Sequence, residues 1–545
     1  AIIIGNYGEA TLLILIFAGA HILEHYAQDK SKREIKKLIS LNPVQARLIK
    51  SDGSKELVDV NTLKVGDELA VLVGDQIPTD GMIIAGFASI DESSITGESI
   101  PQEKQANDLV YGSTINLNSD FVMKVTKESH DTILAQMIDL VSRSQNDISK
   151  TATFIKKIEP IYVTIVLLLA PLFYVLGRYG LNWGHDDSFY RTMVFLIAAS
   201  PCALAVTDIP ATLSAISNSA RKGVLFKGGS YMSNLVNTKV VAFDKTGTIT
   251  TGKPVVTDVY FKKEESIYSR IIASMEQTSN HPLALAISNY YKHIELLKLE
   301  VSQNIGIGLT ATYEGHTYVI AKPSNFKDIN QEINNRSEHY QNEGKTVVYF
   351  AKDNEVLGLI AMQDVAKNNV GTVISYFKEN NIKTVMITGD SQKTALQVAN
   401  SIGIDEVRAN VMPAEKSSII KELKKDYGMT VMIGDGINDA PALALADLGV
   451  AMGEGTDIAI DTADAVLMKN DLEKLVYAHR VSKKLKTNVI QNLVFSLLII
   501  LFLIIANVLG QMEMPLAVFF HEGSTIIVIL NALRLLIPLR TNKKS

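Results

Sequence analysis

The sequence predicts a multi-domain α-helical membrane protein with α/β cytoplasmic domains and one β-rich module. Three observations carry that reading. Five apolar segments, at roughly residues 7–27, 158–179, 191–217, 487–510 and 515–538, are each long enough to cross a bilayer, which takes about 20 residues. Lys and Arg cluster at alternate segment ends, which places both long connections on the cytoplasmic side. Within the second long connection, short apolar runs repeatedly end in an acid beside Gly or Thr, the pattern of parallel strands delivering polar loops.

Bulk properties agree. The chain has 545 residues, 47% of them hydrophobic and 20% charged, with a mean hydropathy of +0.14. That is too apolar for an ordinary soluble enzyme, and the length suggests several domains of about 100–200 residues. A net charge of −5 gives no case for a nucleic-acid partner. The single cysteine, Cys202, rules out a disulfide framework or a CxxC carrier module in this stretch. No charged n-region precedes the first apolar residues, so a trimmed N-terminus is expected rather than a signal peptide.

The flanking charges are explicit. Lys30, Lys32, Arg33, Lys36 and Lys37 follow the first segment, and Lys150, Lys156 and Lys157 precede the second. Arg221 and Lys222 follow the third, Lys483, Lys484 and Lys486 precede the fourth, and Arg540, Lys543 and Lys544 follow the fifth. The odd number of spans fits a chain that begins at the end of a missing helix. The first long connection, 40–150, alternates apolar and polar residues broken by Gly and Asp, as in Val65-Gly66-Asp67 and Val73-Gly74-Asp75, and reads as β-rich. It contains Thr96-Gly97-Glu98-Ser99, which alone is a polar turn. The second opens with Val240-Val241-Ala242-Phe243-Asp244-Lys245-Thr246-Gly247-Thr248. A carboxylate delivered by a buried strand into such a loop can act as a nucleophile and carry an aspartyl-phosphate. Two more strand-to-loop runs follow, Val385 to Asp390 and Val431 to Asp439, with Met412-Pro413-Ala414-Glu415-Lys416 between them.

Asp-Lys-Thr-Gly-Thr-Ile-Thr, Thr-Gly-Glu-Ser, Thr-Gly-Asp and Gly-Asp-Gly-Ile-Asn-Asp resemble, together and in order, the signature motifs of P-type ATPases. The resemblance covers essentially the whole chain. It implies a β-rich actuator domain at 40–150 and a haloacid dehalogenase-like, Rossmann-type phosphorylation domain split between 218–255 and 366–482. A nucleotide-binding domain at 256–365 would be inserted between those halves, with membrane parts at 1–39, 151–217 and 483–545. Asp244 would be the phosphorylated nucleophile, and Glu98 would position the water that hydrolyses the aspartyl-phosphate. Thr388 and Lys416 would contact the transferred phosphoryl group, while Asp244, Asp435 and the Thr246 carbonyl would hold Mg²⁺. Glu276, His281, Gly306 and Gly308, with Asp390 and Asn438, would serve ATP. The residue types suit the chemistry, because phosphoryl transfer is mostly positioning and charge neutralisation.

What is moved is read from the membrane segments. Ser200-Pro201-Cys202 lies in the third and His521-Glu522-Gly523-Ser524-Thr525 in the fifth. Proline removes a backbone donor mid-helix and frees carbonyls, and ionisable groups inside a span are functional candidates by default. The two signatures resemble the ion-site helices of heavy-metal (type IB) pumps, in particular the fourth subgroup, associated with zinc, cobalt and iron-type divalent ions. Cys202, His521 and Glu522, supplemented by Ser200 and Thr525, are the expected ligands. One thiolate with imidazole and carboxylate suits a borderline divalent metal better than Cu(I). The zinc/cadmium/lead subgroup carries a lysine in the penultimate helix, and Phe495 to Phe502 has none, which weakens assignment to that subgroup. His21, Glu24 and His25 share a helical face and read as an interfacial polar end, Glu159 is open between a metal-uptake carboxylate and a helix start, and Asp208, about 240° round a helix from Cys202, receives no role.

The expectation is therefore a multi-pass plasma-membrane pump that exports a divalent transition metal (Zn, Co, Fe or Cd type) and uses ATP and Mg²⁺. It is expected to act as a monomer, without nucleic acid. A potassium-pump-like catalytic subunit and a soluble phosphohydrolase with the same acid core are the alternatives.

Overall fold

The computed structural model describes residues 7–8, 10–19, 21–22, 26, 45–50, 52–92, 101–132, 135, 149–262, 266–279, 281–304, 308–327, 329–453 and 455–539. The chain divides into two compact units, residues 1–237 with 464–545, and residues 238–463.

In the first unit, the segment around 45–125 forms two antiparallel sheets. Six strands run in the order Lys55–Asp59, Gln45–Ile49, Glu68–Val71, Phe121–Val125, Gly81–Ala85, Leu109–Val110. Three more run Gln102–Gln105, Phe87–Asp91, Ile115–Asn116. Period-two burial explains them: in Phe121–Val125 the outer and central residues are buried while Val122 and Lys124 turn away. Leu69, Val71, Ile77, Ile83, Ile90 and Met123 fill the core. Glu98 lies in 93–100, outside the described residues.

Among the described residues, four helices of this unit are long and apolar enough to cross a membrane: Thr151–Gly180, His185–Ala220, Glu473–Val508 and Met514–Leu536. They correspond to the second to fifth expected segments. Of the first, Ala10–Gly19 is a shorter apolar helix, and Glu24 and His25 lie outside the described residues. The third is broken into His185–Ala198, Cys202–Ala205 and Ile209–Ala220. Pro201 and Pro210 withhold backbone donors at the two interruptions, and side chains from other helices take up carbonyls left there. Tyr162 Oη donates to the Ala199 carbonyl at 2.8 Å, and Asn492 Nδ2 donates to the Thr207 carbonyl at 3.4 Å. Irregular backbone at membrane depth persists only where such partners exist.

The second unit holds two sheets. Five parallel strands run in the order Leu448–Met452, Thr430–Gly434, Val240–Asp244, Lys383–Ile387, Glu406–Arg408. Every residue of the central Val240–Asp244 strand is buried, as a parallel sheet covered by helices on both faces requires. Asp244 stands opposite Ile387, and Phe243 opposite Ile433. The residues that follow these strands therefore emerge at one edge, the side where parallel α/β sheets bind ligands. The other sheet is antiparallel: Thr250–Phe261, Glu355–Ala366, Thr346–Lys352, His316–Ala321, Gly308–Tyr313, Val301–Asn304. Along Thr346–Lys352, Val348 and Phe350 pack with Ile271, Met275 and Ile287 of two helices. Val347, Tyr349 and Ala351 pack on the opposite face with Ile333.

Candidate functional site

Asp244 ends its strand with 8% of its surface exposed. Lys416, the first residue of the helix Lys416–Tyr427, places Nζ 2.5 Å from Asp244 Oδ1 and 2.5 Å from Asp439 Oδ1. The other Asp439 oxygen accepts the backbone N–H groups of Asp435 at 3.3 Å and Gly436 at 3.1 Å. Carboxylate oxygens of Asp244, Asp435 and Asp439 all lie within 4.8 Å of one another. Three acids against Lys416, with Lys367 pulling on Asp435 as well, still leave excess negative charge. Accordingly the Asp244 carboxyl is pushed up to about 6 by burial and by Asp439, against the pull of Lys416. Asp435 is raised as well, by burial and then by Asp439. Burial works against the Lys416 ammonium, but Asp244 and Asp439 outweigh it and hold its pKa above the usual lysine value. This donor set, all hard oxygen and under-neutralised, fits a Mg²⁺ ion.

The loop after Asp244 is shaped for close approach. Gly247 has φ 70°, and a Cβ there would lie 1.7 Å from Asp435 Oδ2, so both backbone and space demand glycine. Its carbonyl accepts from Lys367 Nζ at 2.7 Å. Thr246 is exposed with an extended backbone. Thr388 is 3% exposed just past its strand, and its Oγ1 accepts the Asp390 N–H at 3.1 Å. Asp390 in turn pairs with Lys245 at 2.5 Å, which ties two strand-end loops together. Asn438 is exposed on the turn Ile437–Asp439.

In the antiparallel module, Glu276 is the buried last residue of the helix Ser266–Glu276, and burial raises its carboxyl to about 7. His281 caps the next helix, its Nδ1 accepting from the Leu283 N–H at 3.2 Å, with the side chain exposed. Gly306 lies outside the described residues. Gly308 has φ 115°, and a Cβ there would sit 2.1 Å from the Ile320 carbonyl oxygen, so the hairpin itself requires this glycine.

The membrane candidates are separate. Ser200 Oγ and Cys202 Sγ are 3.1 Å apart at the first break, and the short helix Cys202–Ala205 packs against Met514–Leu533. On that helix His521 and Thr525 are buried and Glu522 is half-buried. His521 Nε2 is buried with no hydrogen-bond partner among the described residues. Its carbonyl accepts from Ser524 Oγ at 2.6 Å and Thr525 Oγ1 at 3.4 Å. Among the described residues, Cys202, His521 and Glu522 do not converge into one ligand cluster, and Asp244/Asp435/Asp439 is the set that does. Adjacent helical residues point about 100° apart, so His521 and Glu522 face different ways. Asp208 is buried and accepts from Ser149 Oγ at 2.5 Å and Thr212 Oγ1 at 3.3 Å.

Comparison with known proteins bears on the whole chain. Residues 238–447 match the haloacid dehalogenase-like hydrolase family and residues 40–142 the P-type ATPase actuator domain. A zinc-transporting ATPase of Bacillus subtilis is 40% identical over 98% of this chain and 85% of its own length. A probable cadmium-transporting ATPase of Listeria monocytogenes is 35% identical over 98% and 78%. The chain belongs to the metal-transporting P-type ATPases. Among solved structures, a zinc-transporting PIB-type ATPase in an E2.Pi state matches with a TM-score of 0.68 and 31% identity. That match covers 98% of this chain and 88% of the other.

For a P-type ATPase the motif reading was incomplete in four places. Asp439 joins the acid cluster and orients Lys416, and a second acid four residues after Asp435 was the available signal. Lys245, Lys367 and Gly247 also shape the site. Lys245 and Gly247 stood inside the quoted heptad, whereas Lys367, far along the chain, carried no local signal.

Proposed function

We propose that this P-type ATPase exports a zinc-type divalent cation through an Asp244 phosphoenzyme, with a division of labour that follows the site. The observation that carries it is the under-neutralised acid cluster at the parallel-sheet edge, bridged by Lys416. Asp244 Oδ attacks the γ-phosphorus of ATP, the bond to the ADP oxygen breaks, and ADP leaves. Lys416 and Thr388 neutralise and orient the phosphoryl oxygens. Asp244, Asp435 and the Thr246 carbonyl would hold a Mg²⁺ ion, which would supply charge neutralisation at the phosphates, while Asp439 fixes Lys416. Water, positioned by Glu98 acting as its base, then adds to phosphorus. The bond to Asp244 breaks and inorganic phosphate departs.

ATP is held by the antiparallel module, taken as residues 256–365, with the actuator at 40–150 and the phosphorylation domain at 218–255 and 366–482. A Glu276 carboxyl with a pKa near 7 offers an O–H donor and a carbonyl acceptor, the pairing that an adenine edge presents. His281, Gly306 and Gly308 line the remainder, and Asp390 and Asn438 lie toward the phosphates. For the cargo, Cys202, His521 and Glu522, with Ser200 and Thr525, form a mixed S/N/O set suited to Zn²⁺ and tolerant of Cd²⁺. The open His521 Nε2 supports this, as do relatives named for zinc and cadmium. The pump works as a monomer in the plasma membrane.

The test is a metal series on the purified protein in lipid. Zn²⁺ should stimulate ATP hydrolysis and an acid-stable, hydroxylamine-sensitive phosphoenzyme, and Glu98→Gln should phosphorylate normally yet decay slowly. Stimulation by K⁺ with none by Zn²⁺ would overturn the assignment.

A further inference from the structure

The ends of three membrane helices enclose a cavity of about 410 Å³, within the range of small-molecule sites. One wall is a face of the helix Glu473–Val508, where Lys484, Thr487, Asn488 and Gln491 recur at helical spacing. Arg534 stands on another wall, in the turn Arg534–Leu536 that ends the helix Met514–Leu533. Asn218, from the last turns of the helix Ile209–Ala220, closes the space. Hydrogen bonds tie these walls together. Asn218 is 1% exposed, and its Nδ2 donates to the carbonyls of Leu535 at 2.7 Å and Ile537 at 3.0 Å. Its Oδ1 accepts from Tyr477 Oη at 2.7 Å, and that oxygen accepts the Leu539 N–H at 3.2 Å. Asn488 Nδ2 donates to the Asn531 carbonyl at 2.9 Å, while Arg534 Nη1 donates to Asn531 Oδ1 at 2.9 Å. The frame is therefore built, and the guanidinium is oriented within it.

The cavity is cationic. Lys483, Lys484 and Arg534 line it, and among the described residues no carboxylate does. Lys484 and Arg534 are exposed, and neither has a carboxylate partner among the described residues. Like charges held around one space repel unless an anion joins them. These helix ends lie on the cytoplasmic side by the positive-inside rule, at the leaflet whose anionic lipids attract basic groups. Large aliphatic side chains continue from the cavity toward the bilayer. Ile537 lines it and is 66% exposed; Leu530, one turn before Arg534, is 55% exposed, and Val494, three residues after Gln491, 49%. Acyl chains would cover that surface, which a soluble anion leaves bare. We infer that this cavity binds the headgroup phosphate of an anionic phospholipid from the cytoplasmic leaflet. Arg534 offers a planar fork and Lys484 a point charge to the phosphate oxygens, and Thr487 and Gln491 offer polar partners to the rest of the headgroup. The phosphate is thereby shared by two spanning helices, one of which bears His521.

The experiment titrates the full chain in neutral detergent with dioleoylphosphatidylglycerol and, separately, with dioleoylphosphatidylcholine, and counts bound lipid by native mass spectrometry. At about fivefold per cation, two cations should favour the anionic lipid by about 25-fold. Lys484→Gln and Arg534→Gln should each weaken its binding about fivefold, whereas Arg534→Lys, which keeps the charge, should lose no more than about twofold. Lys157→Gln removes an equal charge from an exposed position that does not line the cavity, and should change nothing. Inorganic phosphate and glycerol 3-phosphate, which carry the anion without acyl chains, should not displace the lipid at millimolar concentration. Displacement by either would assign the cavity to a soluble anion and overturn the lipid. Equal binding of the two lipids, or equal weakening in Lys157→Gln and Lys484→Gln, would overturn the site itself. Should Arg534→Gln fail to fold, the exposed Lys484 decides alone, since glutamine suits a helix as well as lysine does.

Discussion

Asp244, Asp435 and Asp439 reach one another from two buried strand ends and a turn whose N–H groups are already bonded. Cys202, His521 and Glu522 instead sit on a four-residue helix between two breaks and on two faces of a second helix. The first constellation is assembled before any ligand arrives, at the expense of crowding like charges. The second keeps its donors apart, with the His521 Nε2 unpaired among the described residues. Phosphoryl transfer profits from preorganisation, because its catalysis is positioning and electrostatics. A cargo site must bind and then release, and ligands on interrupted helices can be brought together or separated by small helix movements.

The comparison breaks most completely at Asp244. Asp244→Asn should abolish the hydroxylamine-sensitive phosphoenzyme, lowering turnover by at least about 10³-fold, since the strand-end carboxylate that attacks phosphorus is replaced by an amide. Labelled ATP and acid quench read this directly. A phosphoenzyme in that variant would place the nucleophile elsewhere.

Gly247→Ala tests preorganisation without touching a charge. The added methyl meets Asp435 Oδ2 at 1.7 Å in a backbone of φ 70°, so the acid or the loop must move. Phosphorylation should fall about 100-fold, while Gly371→Ala, where a methyl meets nothing within 4 Å, should leave it unchanged. Equal rates in the two variants would show that the cluster tolerates displacement.

The membrane side should respond differently in kind. Cys202→Ala and His521→Ala should each lose Zn²⁺-stimulated hydrolysis by about tenfold or more. Phosphorylation by inorganic phosphate, which needs no cargo metal from the cytoplasmic side, should survive. Loss of both activities would mean that the substitutions act through folding. Normal metal stimulation in Cys202→Ala would move the cargo site, with the buried Asp208 the next carboxylate to examine.

Legibility in the sequence follows the same division. Strand-to-loop motifs were readable because a buried parallel strand leaves an uninterrupted apolar run, so Asp244, Thr388 and Asp435 could each be read at or just past a strand end, and the family resemblance brought them to one site. The second to fifth spans were readable from length and composition. The two breaks around Cys202–Ala205 were foreshadowed by Pro201, but which side chains would cap the freed carbonyls was not. Tyr162 and Asn492 lie on other helices, and only packing decides that they meet Ala199 and Thr207. Lys367 escaped for the same reason, since a lone lysine carries no periodicity that announces a distant carbonyl. Gly308 had a local cause that sequence alone does not separate from ligand approach.

The smallest effect expected concerns Glu276, and it separates a crowded acid from a merely buried one. Asp244 is raised by burial and like charge together, whereas Glu276 is raised from 4.5 to about 7 by burial alone. A folded-state pKa above the unfolded one means that the folded module holds the proton longer. That contribution to stability is fully present below about pH 4.5 and is lost as pH rises to about 7, amounting to at most about 3 kcal/mol. Amide exchange in the helix Ser266–Glu276, corrected for intrinsic rates, should therefore show protection falling by about tenfold or more between pH 5 and pH 8. Glu276→Gln, which keeps the shape and cannot ionise, should flatten that slope. Nucleotide should restore part of the protection at pH 8 in the wild type, since a ligand that binds only the folded module stabilises it. A slope that persists in Glu276→Gln would assign the pH dependence to another group and show that this carboxyl has the same pKa folded and unfolded.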